Sequence, residues 1–343
     1  MGGLKILVTG ATGLIGCHSL AALLEAGHAI RVFVRSPAKL DAVLAPFARS
    51  ASDVEVAIGD VGDSRAIRQA LVGCNGLLHC AGRFSRERED EPMLVETNVE
   101  GTRHVLEAAA EADLERAVYV SSMLALSPAP GREMTAEDAV ARPDSMYAAT
   151  KARAESIARV FQERMPLTIL YPAAVQGPHD PTFSIGPQLI ANALTEGRVL
   201  VTEGGLATTD VRDLAAVVAA VFDGRTSATR LMAPSFYLRH ERYYELLELL
   251  SGRPLQAQRV PGWLLRLLGR LGDVAQRLGR PTELTYEAAK VLTRSVPIDD
   301  REARRLLGRP PIDDERSLGD LIAWMVEAGH LESRAAGSAA PAA

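Results

Sequence analysis

The sequence predicts a doubly wound α/β fold: a parallel sheet with helices on both faces, then a smaller, mostly helical substrate-binding part. Three observations predict it. Short β-branched runs alternate with helix-period stretches through the first half of the chain. The runs are apolar at almost every position, as strands covered on both faces must be. Finally, Gly10, Gly13 and Gly16 follow the first apolar run and open the first helical stretch.

Strands are expected at 5–8, 30–34, 54–57, 76–79, 117–121 and 167–170. Helices are expected at 14–26, 63–72, 94–113 and 145–164, where apolar residues recur at i, i+3 and i+4. The dinucleotide-binding part is assigned to 1–172, with 206–228 returning to it. Substrate binding is assigned to 173–205 and 229–332. Residues 333–343, mostly Ala, Gly, Ser and Pro, are expected to form a disordered tail.

With 343 residues there is room for two domains or one large one. The balance of 38 basic and 43 acidic residues, net −5, argues against a nucleic-acid binder driven by bulk charge. Cys17, Cys74 and Cys80 fit neither a disulfide framework nor a zinc pattern, so a reducing cytoplasm is expected. The seven histidines lack ligand spacing, and no metal is expected. No apolar run is long enough to span a membrane. The N-terminal apolar run passes directly into the glycine turn, so it reads as a strand and not as a signal peptide.

In the turn, Gly10 permits the tight bend and Gly13 a close approach of backbone to pyrophosphate. Gly16 permits close packing of helix on strand. Thr12, Leu14 and Ile15 complete a helix N-terminus whose free N–H groups and positive dipole end suit phosphate. The segment TGATGLIG resembles the extended branch of the short-chain dehydrogenase/reductase family, a Rossmann-fold family.

The second strand ends at Arg35 and Ser36, with Lys39 close behind and no carboxylate before Asp41. An NAD enzyme usually places an acid there for the ribose hydroxyls, whereas a guanidinium pairs with a 2′-phosphate. NADP(H) is therefore expected over NAD(H). Asp60, followed by Val61, resembles the family aspartate that caps the adenine amino group, with helix capping as its alternative role. The stretch LLHCAG brings Cys80, Ala81 and Gly82 to the position that runs beneath the cofactor in the family. Asn98 resembles the asparagine that holds this region.

Tyr147 and Lys151 lie four positions apart, on one face of a predicted helix. A phenol with pKa about 10 is a poor base at neutral pH, and a nearby ammonium favours the phenolate. Ser121 and Ser122 end a strand at the carboxyl edge of the sheet, where active sites of such folds lie. The family's spacing favours Ser122 as the residue that polarises the substrate oxygen, with Ser121 as the alternative. LTILYPAAVQGPHD resembles the family's LRPxxVYGP stretch, which places Tyr171, Pro172, Ala173 and Val175 near the nicotinamide. The resemblance spans roughly residues 4–225.

The stretch MLALSP after the serines and ATTDVRDLA at 207–215 are closer to dihydroflavonol-reductase and 3β-hydroxysteroid-dehydrogenase relatives than to sugar-nucleotide enzymes. The expected activity is a ketoreductase or alcohol dehydrogenase acting on a fairly apolar small molecule. The alternatives are a nucleotide-sugar epimerase or dehydratase with bound NAD, and a non-catalytic cofactor sensor. Family members commonly dimerise through the helices here at 94–113 and 145–164. The stretch 261–279 reads as a basic amphipathic helix, its leucines facing core or ligand and its arginines facing water. Weak docking on an anionic membrane is its third reading, after core helix and lid.

Overall fold

The computed structural model describes residues 3–340 apart from 86, 130, 144, 279, 281, 283, 284, 294 and 295. Strand β1 (Lys5–Thr9) shows how both faces of the central sheet are filled. Ile6 and Val8 join one apolar cluster with Leu20 and Leu23 of α1 (Leu14–Glu25), while Leu7 faces the opposite cluster. All five side chains are fully buried, each contributing about 1.5–3 kcal/mol.

The alternation continues through β2 (Ala29–Val34), α2 (Leu40–Leu44), β3 (Glu55–Ile58), α3 (Ser64–Leu71) and β4 (Gly76–His79). The expected helix at 94–113 is instead α4 (Glu91–Val95), a π-helical turn over Glu96–Glu100, and α5 (Gly101–Glu111). Strand β5 (Arg116–Val120) follows, then a ribbon of β6 (Leu126–Ser127) and β7 (Ala139–Val140), then α6 (Met146–Phe161) and β8 (Leu167–Tyr171). Beyond it lie β9 (Ala174–Gln176), α7 (Ile185–Glu196), β10 (Arg198–Val201), β11 (Gly205–Asp210), α8 (Val211–Phe222) and β12 (Arg230–Met232).

The central sheet has seven strands in the order β12-β8-β5-β4-β1-β2-β3, and every neighbouring pair is parallel. The seventh, β12, has only three residues, too short for a periodic signal. The stretch 206–228 divides between two structures. Strand β11 pairs with β9 and with β13 (Phe236–Arg239), whereas α8 contributes Leu214, Val217 and Val221 to the cluster that holds α1.

The remaining elements are α9 (His240–Ser251), β14 (Gln256–Arg259), α10 (Gly262–Arg277), α11 (Tyr286–Thr293), α12 (Arg301–Leu307), α13 (Asp314–Glu327) and α14 (Ser333–Ala336). A third cluster joins α7, α9 and α13 through Leu194, Leu247 and Leu321.

Two expectations about this region are corrected. Residues 333–340 are not a disordered tail: Ala335 and Ala336 are buried in the third cluster, and the Arg253 guanidinium donates to the Ala335 carbonyl at 2.9 Å. Small side chains let the backbone seat there without a large apolar residue to announce it. Helix α10 also presents the opposite face from the one expected. Its small face packs inward, because a Cβ at Gly269 would lie 2.6 Å from the Thr285 carbonyl oxygen. Trp263, Leu267, Leu271 and Leu278 are exposed instead.

Candidate active site

The glycine turn has the backbone that its sequence requires. Gly10 has φ 74°, and a Cβ there would lie 2.6 Å from the Ala81 nitrogen. A Cβ on Gly16 would overlap the Gly10 carbonyl, whereas one on Gly13 would meet nothing nearer than that same oxygen at 3.5 Å. The backbone at Gly13 is therefore open to close approach. The first α-helical bond of α1 runs from Cys17 N to Gly13 O at 2.9 Å, and among the described residues no side chain caps the helix end. The N–H groups of Leu14, Ile15 and Gly16 thus point out of the turn beside Thr12, a cradle that fits pyrophosphate.

Arg35 and Lys39 are both exposed beyond β2, and among the described residues neither enters an ion pair. Ser36 caps the short turn between them through Ala38 N. The two aspartates after β3 have different roles. Asp63 caps α3 by accepting from Arg65 N and Ala66 N, while the carboxylate of exposed Asp60 accepts, among the described residues, from Gly62 N at 2.9 Å. Val61 follows, half-buried against α5.

Asn98 sits on the π-helical turn and reaches two neighbours. Its amide oxygen accepts from Arg83 N at 2.7 Å; its nitrogen donates to Arg83 O at 2.9 Å and to Thr150 Oγ1 at 3.0 Å. Thr150 in turn donates to the Tyr147 carbonyl at 2.8 Å. One side chain therefore ties the loop that begins Cys80-Ala81-Gly82 to the first turn of α6. Extra residues in π turns are common where a helix must present a functional side chain.

Helix α6 lies against the carboxyl end of β5. The Lys151 ammonium donates to Val120 O at 3.0 Å and to the Tyr119 hydroxyl at 3.5 Å. Burial lowers its pKa to about 8, with the Glu155 carboxylate working the other way. Burial pushes the Tyr147 phenol up to about 12. The expectation that Lys151 lowers the tyrosine is therefore not met in this geometry, because the ammonium is turned to the strand end and not to the phenol.

The two serines part at once. Ser121 Oγ donates to the fully buried Glu155 carboxylate at 2.8 Å, so it belongs to the core. Ser122 Oγ accepts from Leu124 N at 3.2 Å, and among the described residues its own proton has no acceptor. Phe84, half exposed on the loop after β4, meets the Tyr147 ring edge-on with centroids 4.9 Å apart.

One assigned position is corrected. The Tyr171 ring is wholly buried, its hydroxyl donates to Glu155 at 2.6 Å and its carbonyl accepts from Ala233 N at 3.0 Å, so the residue belongs to the core. Pro172 O accepts from Met123 N, and Ala173 N donates to Thr209 Oγ1. Val175 pairs with Thr209 in β9–β11. The sequence reading passes over Glu155 and Phe84. Glu155 was detectable as a lone acid four positions beyond Lys151 on the same helical face; Phe84 carries no such signal.

The chain is 29% identical over 335 residues to a protein called sterol demethylase protein B from Methylococcus capsulatus, covering 95% of this chain and 99% of that one. It is 28% identical over 339 residues to a putative dihydroflavonol 4-reductase from Synechocystis, covering 95% and 96%. The structure of a UDP-glucuronic acid 4-epimerase from Bacillus cereus in complex with NAD superposes with a TM-score of 0.73, covering 95% of this chain and 99% of that one; at 18% identity it shows the fold. Residues 6–229, more than half of the chain, match the NAD dependent epimerase/dehydratase family, and the chain belongs to that family.

Proposed function

We propose that the protein is an NADP(H)-dependent oxidoreductase that interconverts a ketone and a secondary alcohol on a fairly apolar small molecule. The observation that carries this reading is the grouping at the end of β5. Ser121 is committed to Glu155 while Ser122 is not, and α6 brings Tyr147 and Lys151 to the same edge. The reductase name of the Synechocystis relative and the sterol in the name of the Methylococcus relative support a carbonyl on an apolar skeleton.

When bound, the nicotinamide supplies or accepts the hydride. The turn at Gly10–Gly16 would hold the pyrophosphate, Asp60 the adenine edge, and Lys151 the ribose beside the nicotinamide. In reduction, Ser122 donates a hydrogen bond to the carbonyl oxygen. Tyr147 would give that oxygen its proton, and the phenol would recover a proton from solvent. A phenol held at about 12 is protonated at neutral pH and suits this direction. Two exposed cations beyond β2 supply the charge that a 2′-phosphate needs.

A sugar-nucleotide substrate finds less support. The only arginine in 207–215 is Arg212, and its guanidinium is held by both Asp210 oxygens and by Asp320. The test is a panel of ketones followed by NADPH absorbance and of UDP-sugars followed by product chromatography, with calorimetry of both cofactors on the parent and Arg35→Asp. Turnover of apolar ketones and tighter NADPH than NADH binding are expected, and Arg35→Asp should erase a preference of about 1–3 kcal/mol. Turnover of sugar nucleotides alone, or equal affinity for both cofactors in the parent, would overturn the reading.

A further inference from the structure

Among the described residues, sixteen large apolar side chains are exposed, and six of them lie on α10 or at its C-terminal cap. Trp263 is 63% exposed, Leu271 59% and Leu278 75%. Successive residues of an α-helix turn by about 100°, so Trp263, Leu267, Leu271, Val274 and Leu278 fall within a strip only about 80° wide. Such a strip is too regular to be scattered surface hydrophobicity.

The inward face is occupied by other residues. Leu265 is buried, Gly269 packs on the Thr285–Tyr286 backbone, and Gly262 donates to Glu203 at 2.7 Å. Between the two faces runs a row of cations. Arg266 is held by Thr293 Oγ1 at 2.8 Å, and Arg270 lies over the Tyr286 ring at 4.9 Å. The only acid of the helix, Asp273, accepts from Tyr286 N and so faces α11. Arg280 is exposed just beyond the helix end.

We infer that α10 docks the protein, lying in the plane of the interface, on an anionic lipid bilayer. An interfacial helix has this form, with Trp and Leu on one side and arginines at the polar border. The glycines that weaken an isolated helix are no obstacle here, because α11 already holds α10 folded. The charge pattern also selects the occupant. In a two-fold contact between copies, the apolar strips would bring their bordering arginines together with no acid of α10 to pair them. An anionic surface satisfies those arginines instead. The inference is independent of the catalytic reading, since its test involves no turnover.

The experiment is flotation of the full chain with vesicles of phosphatidylcholine alone or mixed with phosphatidylglycerol, combined with tryptophan emission. The chain has two tryptophans, and Trp324 is only 8% exposed, so Trp263 reports the contact. The parent should float with the mixed vesicles, shift its emission to the blue, and release in high salt. Arg266→Gln with Arg270→Gln should weaken binding by roughly fivefold per charge. Leu267→Glu with Leu271→Glu should abolish flotation with the thermal transition unchanged, since both side chains are exposed. Trp263→Phe should still float but lose the emission shift. A parent that never floats would overturn the inference, as would equal, salt-insensitive binding to pure phosphatidylcholine. A protein–protein face would show instead as a dimer by ultracentrifugation, broken by the double glutamate variant without vesicle binding, and that outcome also overturns it.

Discussion

Ser121 and Ser122 test how finely the site can be resolved residue by residue. Removing the Ser121 hydroxyl leaves one oxygen of a fully buried carboxylate without its donor, a cost of about 1–3 kcal/mol. Ser121→Ala should therefore lower the unfolding midpoint while kcat changes little. Ser122→Ala should do the reverse, lowering kcat by about 10²–10³ with stability nearly unchanged, because its hydrogen bond strengthens as charge grows on the substrate oxygen. Tyr147→Phe should cost about 10²–10⁴ in kcat with folding intact. Steady-state kinetics and thermal melts on the three variants decide the matter, and full activity of Tyr147→Phe would remove it from the acid–base role. Lys151 carries a different signature. Its native pKa of about 8 lies below the 10.5 of an ordinary lysine, so between those values the unfolded chain holds a proton that the native chain has released. Burying the ammonium costs stability below pH 8, and that cost fades as pH rises toward 10.5. Lys151→Met should abolish turnover yet raise stability at pH 7 by roughly 1–3 kcal/mol, with a gain that shrinks in alkali. Denaturant titrations at several pH values would show it; a gain that grows with pH would refute the assignment.

At the scale of elements, the π-helical turn before α5 is what connects the cofactor loop to the catalytic helix. Asn98 bonds Arg83 in both directions and also reaches Thr150, which bonds the Tyr147 carbonyl. Asn98→Ala should release residues 82–85, visible as faster amide exchange there, and raise KM for cofactor more than it lowers kcat. Unchanged exchange in that loop would show that the loop is held by other contacts. Helix α6 performs two tasks from one face: Tyr147 and Lys151 meet the site while Glu155, one turn on, gathers Ser121, Tyr171 and Arg159 beneath it. Helix α10 shows the limit of pattern reading at this scale. Amphipathicity says that a helix has two faces but not which neighbour takes which, and here the glycine face is the one that packs.

Across the whole molecule, His79 and His18 are two buried histidines that contribute to the response to acid. His79 lies between β1 and α5, with Nδ1 2.7 Å from Thr9 Oγ1 and Nε2 3.0 Å from Thr102 Oγ1. Thr102 donates its proton to Asn98 O, so His79 must donate from Nε2 and accept at Nδ1, the neutral tautomer. Burial lowers its pKa to about 3, and that of His18, which ties α1 to Pro178 O, to about 4. Below 6.5 the unfolded chain takes up protons that the native chain refuses, so stability falls as pH drops from 6.5 toward 3. His79→Gln should flatten that fall by on the order of 2–4 kcal/mol, measured by urea titration between those values; an unaltered slope would place the acid sensitivity elsewhere. The central sheet was legible in the sequence because six of its strands are four to six residues long, rich in Val, Ile and Leu, and alternate with helix-period stretches, and because the glycine turn has no simpler explanation. Tyr147 and Lys151 were legible because their chemistry depends on a spacing within one helix. Those are local relations, which sequence separation records directly. What only the tertiary structure decided were relations across the chain: that β12 completes the sheet, that Glu155 takes Ser121 and leaves Ser122, that Tyr171 turns into the core, and that the leucines of α10 face outward. Each depends on which distant surface a side chain meets, and burial by a distant partner leaves no period in the sequence.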